Sequence, residues 1–300
     1  MPAIDRRRNQ DFAVNRWCYF VAVCAIPLIA CLGFAQTASK AQRAQVRIIL
    51  VGDSTMAVQS GWGLGFCALL SPRVDCVNMA RSGRSSLSYR AEGAWAHVME
   101  ALQQNNEYQA SYVLIQFGHN DQPGKPGRST DVAAEFPANL KRFVEEVRST
   151  GAEPVLITPL ERRVFRNGKL VNGLLAWADA TRNVATAEHV PLIDLNAKSF
   201  AAMQSMGPAE ADTLAMAPPP PDVITGEASG NSVSLSKSHA PGAPELLPDG
   251  SDPHFNAVFD YTHLGHKGST YFGQLILTEL QAVVPDLKPY FASSLDKLGH

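Results

Sequence analysis

The sequence carries almost no net charge. Its 300 residues include 26 basic and 28 acidic side chains, a formal net charge of −2. Apart from Arg6-Arg7-Arg8, the basic residues are scattered. A near-neutral chain gives no electrostatic argument for binding nucleic acid or an anionic membrane surface, so neither partner is expected. With 45% hydrophobic residues, the chain can bury one sizeable core.

Cysteine is also scarce. Cys18, Cys24 and Cys31 fall in an N-terminal leader, which leaves Cys67 and Cys76 in the mature chain. Two cysteines in an exported protein can pair as a disulfide, and two buried thiols are the alternative. The histidines form no metal-ligand pattern with them. We therefore expect no metal and no other cofactor.

The first 35 residues have the features of a signal peptide. Arg6-Arg7-Arg8 precedes an apolar run from about Trp17 to Phe34, and small residues follow. We predict that residues 1–35 are cleaved and that the protein is exported to the periplasm, the outer membrane or the medium. An uncleaved anchor is the alternative, although the run is short for a membrane span and contains Pro27. Leu28-Ile29-Ala30-Cys31 also resembles a lipobox, which would leave a lipid anchor on Cys31.

The rest of the chain alternates apolar runs with helical patterns. Near-continuous apolar runs cover 46–51, 74–77, 111–117, 154–158 and 190–194, and apolar residues recur at helical spacing over 133–150, 174–188 and 271–284. Runs of this kind are typical of strands covered on both faces. The sequence therefore predicts an α/β domain over about 44–290. Its expected form is a three-layer α/β/α sandwich around a central, mostly parallel five-stranded sheet.

One stretch interrupts this alternation. Residues 206–252 are rich in Pro, Gly, Ser and Ala, include Pro218-Pro219-Pro220-Pro221, and show no periodicity. Loops this long inside a domain are usually functional or disordered. We interpret the stretch as an insertion, either a flap over the active site or an irregular excursion.

Ser54 follows the first predicted strand in Gly52-Asp53-Ser54-Thr55. In open α/β sheets, ligands bind outside the carboxyl ends of the strands. A serine there, opening the next helix, is a candidate nucleophile that would need a base. The alternative is a serine that only caps the helix.

Polar motifs also follow the next two strands. Gly83, after the second strand, could present its backbone N–H to a ligand, or it is an ordinary turn glycine. Asn120, in Gly118-His119-Asn120-Asp121 after the third strand, could direct its amide N–H at a developing oxyanion, or it belongs to a turn.

The candidate base lies near the C-terminus. Asp260 precedes His263 by three residues, on a loop before the last predicted helix. A carboxylate in this position can orient one ring nitrogen of the histidine while the other faces the serine. His254 and His266 are nearby competitors that we rank below His263.

The four motifs together resemble the SGNH, or GDSL, hydrolase superfamily, whose blocks centre on Ser, Gly, Asn and Asp-x-x-His. Four stretches are similar to its rhamnogalacturonan acetylesterase-like branch: Gly-Asp-Ser-Thr-Met at 52–56, Gly-Arg-Ser-Ser at 83–86, Phe-Gly-His-Asn-Asp at 117–121 and Asp-Tyr-Thr-His-Leu-Gly at 260–265. The resemblance spans about residues 46–280, apart from the stretch 206–252. It implies the flavodoxin-like fold of these hydrolases.

The resemblance also implies roles for individual residues. Ser54 would attack an ester carbonyl, His263 would act as general base, and Asp260 would orient His263. The backbone N–H groups of Ser54 and Gly83, with the Asn120 side chain, would form the oxyanion hole. No metal takes part in this scheme.

The resemblance implies an exported enzyme that removes O-acetyl groups from a polysaccharide or oligosaccharide. The expected substrate is rhamnogalacturonan, pectin or a related glycan. Arg81, Arg84 and Trp62 lie near the motifs and either contact sugar or serve as surface charge and core. A lipase-like or broad carboxylesterase, a non-catalytic carbohydrate-binding relative and an acyltransferase are the alternatives. The polymer and the hydroxyl position stay open. The sequence does not establish the oligomeric state, and a monomer is our working expectation.

Overall fold

The structure is a computed structural model that describes residues 45–103, 105–235 and 255–295. The predicted leader lies outside these residues, so its cleavage, the export of the protein and a lipid anchor at Cys31 stay predictions. Within the described ranges, no helix has the length and apolarity needed to cross a bilayer.

Five parallel strands form the central sheet. The strands of the described residues are β1 (Val46–Gly52), β2 (Val74–Asn78), β3 (Ala110–Gln116), β4 (Glu153–Ile157), β5 (Phe165–Arg166), β6 (Lys169–Leu170) and β7 (Leu192–Ile193). The sheet has the order β2-β1-β3-β4-β7, and β5 and β6 form a separate antiparallel pair. Strand β7 is shorter than predicted because Pro191 lacks an N–H and Asp194 already caps the following helix.

Helices cover both faces of this sheet. They are α1 (Gly63–Ala68), α2 (Ser88–Ala91), α3 (Ala94–Leu102), α4 (Glu135–Ser149), α5 (Leu175–Ala187), α6 (Leu195–Asp212), α7 (Pro221–Ala228), α8 (His266–Val283) and α9 (Lys288–Leu295). Successive side chains of a strand point to opposite faces. Ile48 and Leu50 accordingly pack in a core with α1, α6 and α8. Ile49 and Val51 pack in a second core with α3, α4 and α5. The predicted three-layer sandwich is confirmed, with all five strands of the sheet parallel.

The proline-rich stretch is more regular than its sequence suggests. Helix α6 continues through Pro208 to Asp212, and α7 begins at Pro221. Gly207 has a φ of 74°, which breaks the helix locally and lets a new turn start at Pro208. Proline is well tolerated in a first helical turn, so both helical segments form although the sequence shows no periodicity there. Residues 236–254 lie outside the described residues, and a flap over the site stays a prediction.

Cys67 and Cys76 form a disulfide. Cys67 of α1 and Cys76 of β2 are bonded, with their Cα atoms 5.7 Å apart. The bridge ties α1 to the edge strand of the sheet, which confirms the paired alternative over two free thiols.

Candidate active site

Ser54 lies just beyond the carboxyl end of β1, the strand between β2 and β3. Its turn is held by short local hydrogen bonds. The Asp53 carboxylate accepts from the backbone N–H and the hydroxyl of Thr55, at 2.9 and 2.8 Å. The Ser60 hydroxyl donates to the carbonyl of Ser54 at 2.7 Å. These bonds fix the position of the Ser54 backbone.

Ser54 does not open or cap a helix, so that part of the prediction is wrong. Helix α1 begins at Gly63, and Trp62 stands at its N-cap. The chain instead folds back, and a Cβ on Gly61 would lie only 2.3 Å from the Thr55 backbone. Only glycine fits this close contact, and the fold-back places the start of α1 at Gly63 rather than at Ser54. Trp62 is fully buried and its indole N–H donates to Gln116 at 2.8 Å, which makes it a core residue rather than a sugar contact.

His263 joins Ser54 to Asp260. The Nε2 atom of His263 lies 2.8 Å from the Ser54 hydroxyl oxygen, and its Nδ1 atom lies 2.6 Å from Asp260 Oδ2. The other Asp260 oxygen accepts the backbone N–H groups of Thr262 and His263, each at 2.7 Å. The three predicted residues therefore form one continuous hydrogen-bond chain.

The surroundings of Asp260 favour its charged form. Burial by itself would raise the pKa of the carboxyl group, but the hydrogen bond and charge of His263 and the two backbone N–H groups outweigh it. The pKa of Asp260 is consequently far below its usual range. A permanent carboxylate on Nδ1 selects the imidazole tautomer whose Nε2 accepts a proton from Ser54.

Gly83 and Asn120 lie on either side of Ser54. Their loops follow β2 and β3, which flank β1 in the sheet. Gly83 has a φ of 79°, a conformation that favours glycine. The Asn120 side-chain N–H donates to the carbonyl of Arg84 at 3.1 Å, so the two loops are in direct contact. The structure thus brings both predicted oxyanion residues to the carboxyl ends of the strands, where Ser54 also lies.

Asp121 cross-links these two loops, a role that was not predicted from the sequence. Its carboxyl group accepts from the Ser86 hydroxyl at 2.6 Å, the Ser86 N–H at 3.1 Å and the Thr130 hydroxyl at 3.1 Å. Burial raises the pKa of Asp121 to about 6, although these hydrogen bonds oppose the rise. Asp121 belongs to the same Gly118-His119-Asn120-Asp121 motif as Asn120. Its partner Ser86 is distant in the sequence, however, and no spacing rule connects the two residues.

Lys125 contacts the side-chain amide of Asn120. Its ammonium group donates to the carbonyl of His119 at 2.5 Å and to the Asn120 side-chain oxygen at 3.3 Å. Burial, followed by the charge of Arg162, lowers the pKa of Lys125. Because Lys125 occupies the oxygen of the amide, the nitrogen of Asn120 is directed to the opposite side.

Of the two competing histidines, only His266 can be placed, and it takes no part in this arrangement. His266 is the first residue of α8, and His254 lies outside the described residues. Among the described residues, no group of three or more His, Cys, Asp and Glu side chains is arranged to hold a metal ion. The absence of a cofactor stays an expectation.

Comparison with known proteins identifies the family. Residues 50–217 match the model of the GDSL-like lipase/acylhydrolase family. The chain belongs to this family. It is therefore a carboxylic ester hydrolase, which confirms the enzyme class predicted from the sequence.

Relatives within the GDSL-like family point to the predicted branch. The rhamnogalacturonan acetylesterase RhgT of Bacillus subtilis is 30% identical over 256 residues, which cover 83% of this chain and 95% of that protein. A rhamnogalacturonan acetylesterase of Emericella nidulans is 32% identical over 145 residues, 48% of this chain and 52% of that protein. The resemblance to the rhamnogalacturonan acetylesterase-like branch is confirmed.

Solved structures agree with the GDSL-like fold. The protein YxiM of Bacillus subtilis superimposes with a TM-score of 0.56 at 23% identity, over 80% of this chain and 57% of that one. A catalytic mutant of Axe2, an acetylxylan esterase from Geobacillus stearothermophilus, gives a TM-score of 0.52 at 13% identity, over 80% of this chain and 96% of that one. At these identities the likeness concerns the fold alone.

Proposed function

We propose that this protein is a secreted serine esterase that removes O-acetyl groups from a polysaccharide, with rhamnogalacturonan, pectin or a related glycan as substrate. The observation that carries the proposal is the hydrogen-bond chain from Ser54 through His263 to Asp260. This arrangement supplies a nucleophile, a base in contact with it and a carboxylate that orients the base.

The first half of the reaction forms an acetyl-enzyme. As the Ser54 hydroxyl oxygen attacks the acetyl carbonyl carbon, His263 Nε2 takes its proton. The negative charge on the former carbonyl oxygen is stabilised by the N–H groups of Ser54, Gly83 and the Asn120 side chain. The bond to the sugar oxygen then breaks, and His263 returns the proton to the leaving sugar hydroxyl.

The second half releases acetate. His263 removes a proton from a water molecule, whose oxygen attacks the acetyl group on Ser54. The second tetrahedral intermediate collapses, the bond to Ser54 breaks, and His263 protonates the serine oxygen. A sugar hydroxyl in place of this water would make the protein an acyltransferase, and product analysis distinguishes the two.

The choice of a sugar acetate rests on the relatives, and the choice of export on the N-terminus and the disulfide. The relative that covers 83% of this chain is named a rhamnogalacturonan acetylesterase. The Cys67–Cys76 bridge is the kind of bond that persists in oxidising compartments outside the cytosol. A polymer that does not enter the cell requires an exported enzyme.

The decisive experiment measures hydrolysis of an aryl acetate by Ser54→Ala. Activity should fall to background, whereas Ser149→Ala, which changes an exposed serine of α4, should retain it. Unchanged hydrolysis by Ser54→Ala would show that the nucleophile is assigned wrongly.

Two substrate series then define the specificity. A series of aryl esters with increasing acyl length should favour acetate, and a preference for long chains would support the lipase-like alternative. Acetate release from acetylated pectin, xylan and peptidoglycan should be greatest on pectin. Silence on all three polymers by a folded protein would support the non-catalytic carbohydrate-binding alternative.

A further inference from the structure

A buried arginine lies behind the turn that carries Asp260 and His263. Arg163 stands between β4 and β5, and its side chain is completely buried, at 0% exposure. A guanidinium group shielded from water requires acceptors for its N–H groups and a compensating negative charge. The partners of Arg163 therefore show what its burial serves.

The acceptors belong to the turn itself. The Nη2 atom of Arg163 donates to the carbonyl oxygens of Asp260, at 2.5 Å, and His263, at 2.9 Å. The backbone N–H of Arg163 donates to the carbonyl of Tyr261 at 2.8 Å. One residue thus binds three carbonyls of the turn, including those of the acid and the base.

An acidic partner of Arg163 comes from the stretch whose sequence had suggested an irregular segment. Asp212, the last residue of α6, is 1% exposed and its Oδ1 atom lies 3.6 Å from Arg163 Nε. Just beyond α6, the carbonyl of Leu214 accepts the N–H of Gly265 at 2.9 Å. The end of α6 therefore supports the turn both through Arg163 and directly.

This support matters because the internal bonds of the turn do not fix its place. The hydrogen bonds from Thr262 and His263 to Asp260 shape the turn, but they join residues of the same short segment. The 2.8 Å contact between His263 Nε2 and Ser54 depends on where the turn is docked. Arg163 docks the turn onto the segment that connects β4 to β5.

We propose that Arg163 is a positioning residue for the general base: paired with Asp212, it holds the 260–263 turn so that the His263 imidazole meets Ser54. The inference rests on the proposed function, in which His263 activates Ser54. Arg163 touches neither reacting atom, so its effect reaches catalysis through the placement of His263.

The test compares Arg163→Met with Arg166→Met in hydrolysis of an aryl acetate, with rates expressed per folded molecule. The methionine keeps an apolar stem and removes every donor. We expect kcat to fall about 100-fold with KM within about twofold, since a small misplacement of a catalytic group has an effect of this order. Arg166 is an exposed arginine of β5, and its variant should retain wild-type kcat. Arg163→Lys, which keeps a donor and the charge beside Asp212, should recover part of the loss.

A spectroscopic measurement separates positioning from general stability. The proton between His263 Nδ1 and Asp260 should give a low-field NMR resonance, absent in Asp260→Ala. It should shift or broaden in Arg163→Met and stay in place in Arg166→Met. Wild-type kcat and an unchanged resonance in folded Arg163→Met, even with a lower melting temperature, would overturn the proposal.

Arg163→Lys decides the matter if Arg163→Met does not fold. A reduced kcat with constant KM supports positioning, and wild-type kcat with an unchanged resonance overturns it. If the proposed function is wrong, Ser54→Ala retains activity. The resonance then still shows whether Arg163 positions His263, so the two failures can be told apart.

Discussion

The two sides of the candidate site are built over very different distances in the sequence. On the base side, Asp260 and His263 are three residues apart and share one turn. On the oxyanion side, Asn120 and Asp121 reach partners in another loop, Arg84 and Ser86, which are 36 and 35 residues away. The base side is a local unit that has to be docked in place. The oxyanion side exists only where two loops are joined.

The pKa values of the carboxyl groups on the two sides are shifted in opposite directions. The pKa of Asp260 is lowered, despite its burial, by His263 and two backbone N–H groups. Burial raises the pKa of Asp121 to about 6, against the hydrogen bonds from Ser86 and Thr130. The contribution of Asp260 to stability is therefore lost as the pH falls below the ordinary pKa of an aspartate. The contribution of Asp121 is lost as the pH rises through about 6.

The largest expected effect comes from removing the nucleophile Ser54 or the base His263. Ser54→Ala and His263→Ala should each reduce kcat by roughly 10⁴–10⁶-fold, and the double variant should be no worse, because the residues act as a unit. Steady-state kinetics on an aryl acetate provides the measurement. Additive losses in the double variant would mean that Ser54 and His263 act independently.

The next effect concerns the oxyanion side. Asn120→Ala should reduce kcat by about 10²–10³-fold with little change in KM, because its amide donates to charge that develops only in the transition state. Asn139→Ala, which removes a hydrogen bond to Ser86 at the rear of the same loops, is the matched control and should cost much less activity. A change confined to KM would place Asn120 in substrate binding instead.

The contrast between local and distant partners explains what could be predicted from the sequence. Strands β1, β3 and β4 are almost entirely buried on both faces, so their apolar runs revealed them. Asp260 and His263 were recognisable because they are three residues apart and share one turn, so their spacing in the sequence already places them together. The contact of His263 with Ser54, across 209 residues, was predicted because the order of the motifs resembles a known family.

The features missed from the sequence depend on packing. The delayed start of α1 follows from the contact of Gly61 with Thr55, and the kink at Gly207 allows helix in a proline-rich stretch. Arg163 gave a partial signal, as a charged residue soon after a buried strand. Its acceptors lie 97 and 100 residues away, and no local pattern encodes them.

A smaller effect tests the difference in pKa between the two carboxyl groups. Asp121→Asn keeps the shape of the side chain and removes its titration. Between about pH 4 and pH 7.5, its free energy of unfolding should improve relative to wild type by at most about 3 kcal/mol, because the wild-type carboxyl group must ionise in a buried site. Urea unfolding at both pH values measures the difference. Asn139→Ala should show a constant difference, and a constant difference for Asp121→Asn would contradict the raised pKa.

The smallest effect tests whether the oxyanion amide depends on its orientation as well as its presence. Lys125→Met removes the ammonium group from the Asn120 oxygen while keeping an apolar stem. Loss of a hydrogen bond from a charged donor should reduce kcat about tenfold with KM unchanged, since the amide can then turn its nitrogen away from the oxyanion. Lys141→Met, at a lysine of α4 paired with Glu188, is the control for loss of positive charge. Equal losses in both variants would mean that charge, rather than the orientation of Asn120, accounts for the effect. A loss confined to Lys125→Met would show that the oxyanion side, like the base side, depends on a residue that never touches the substrate.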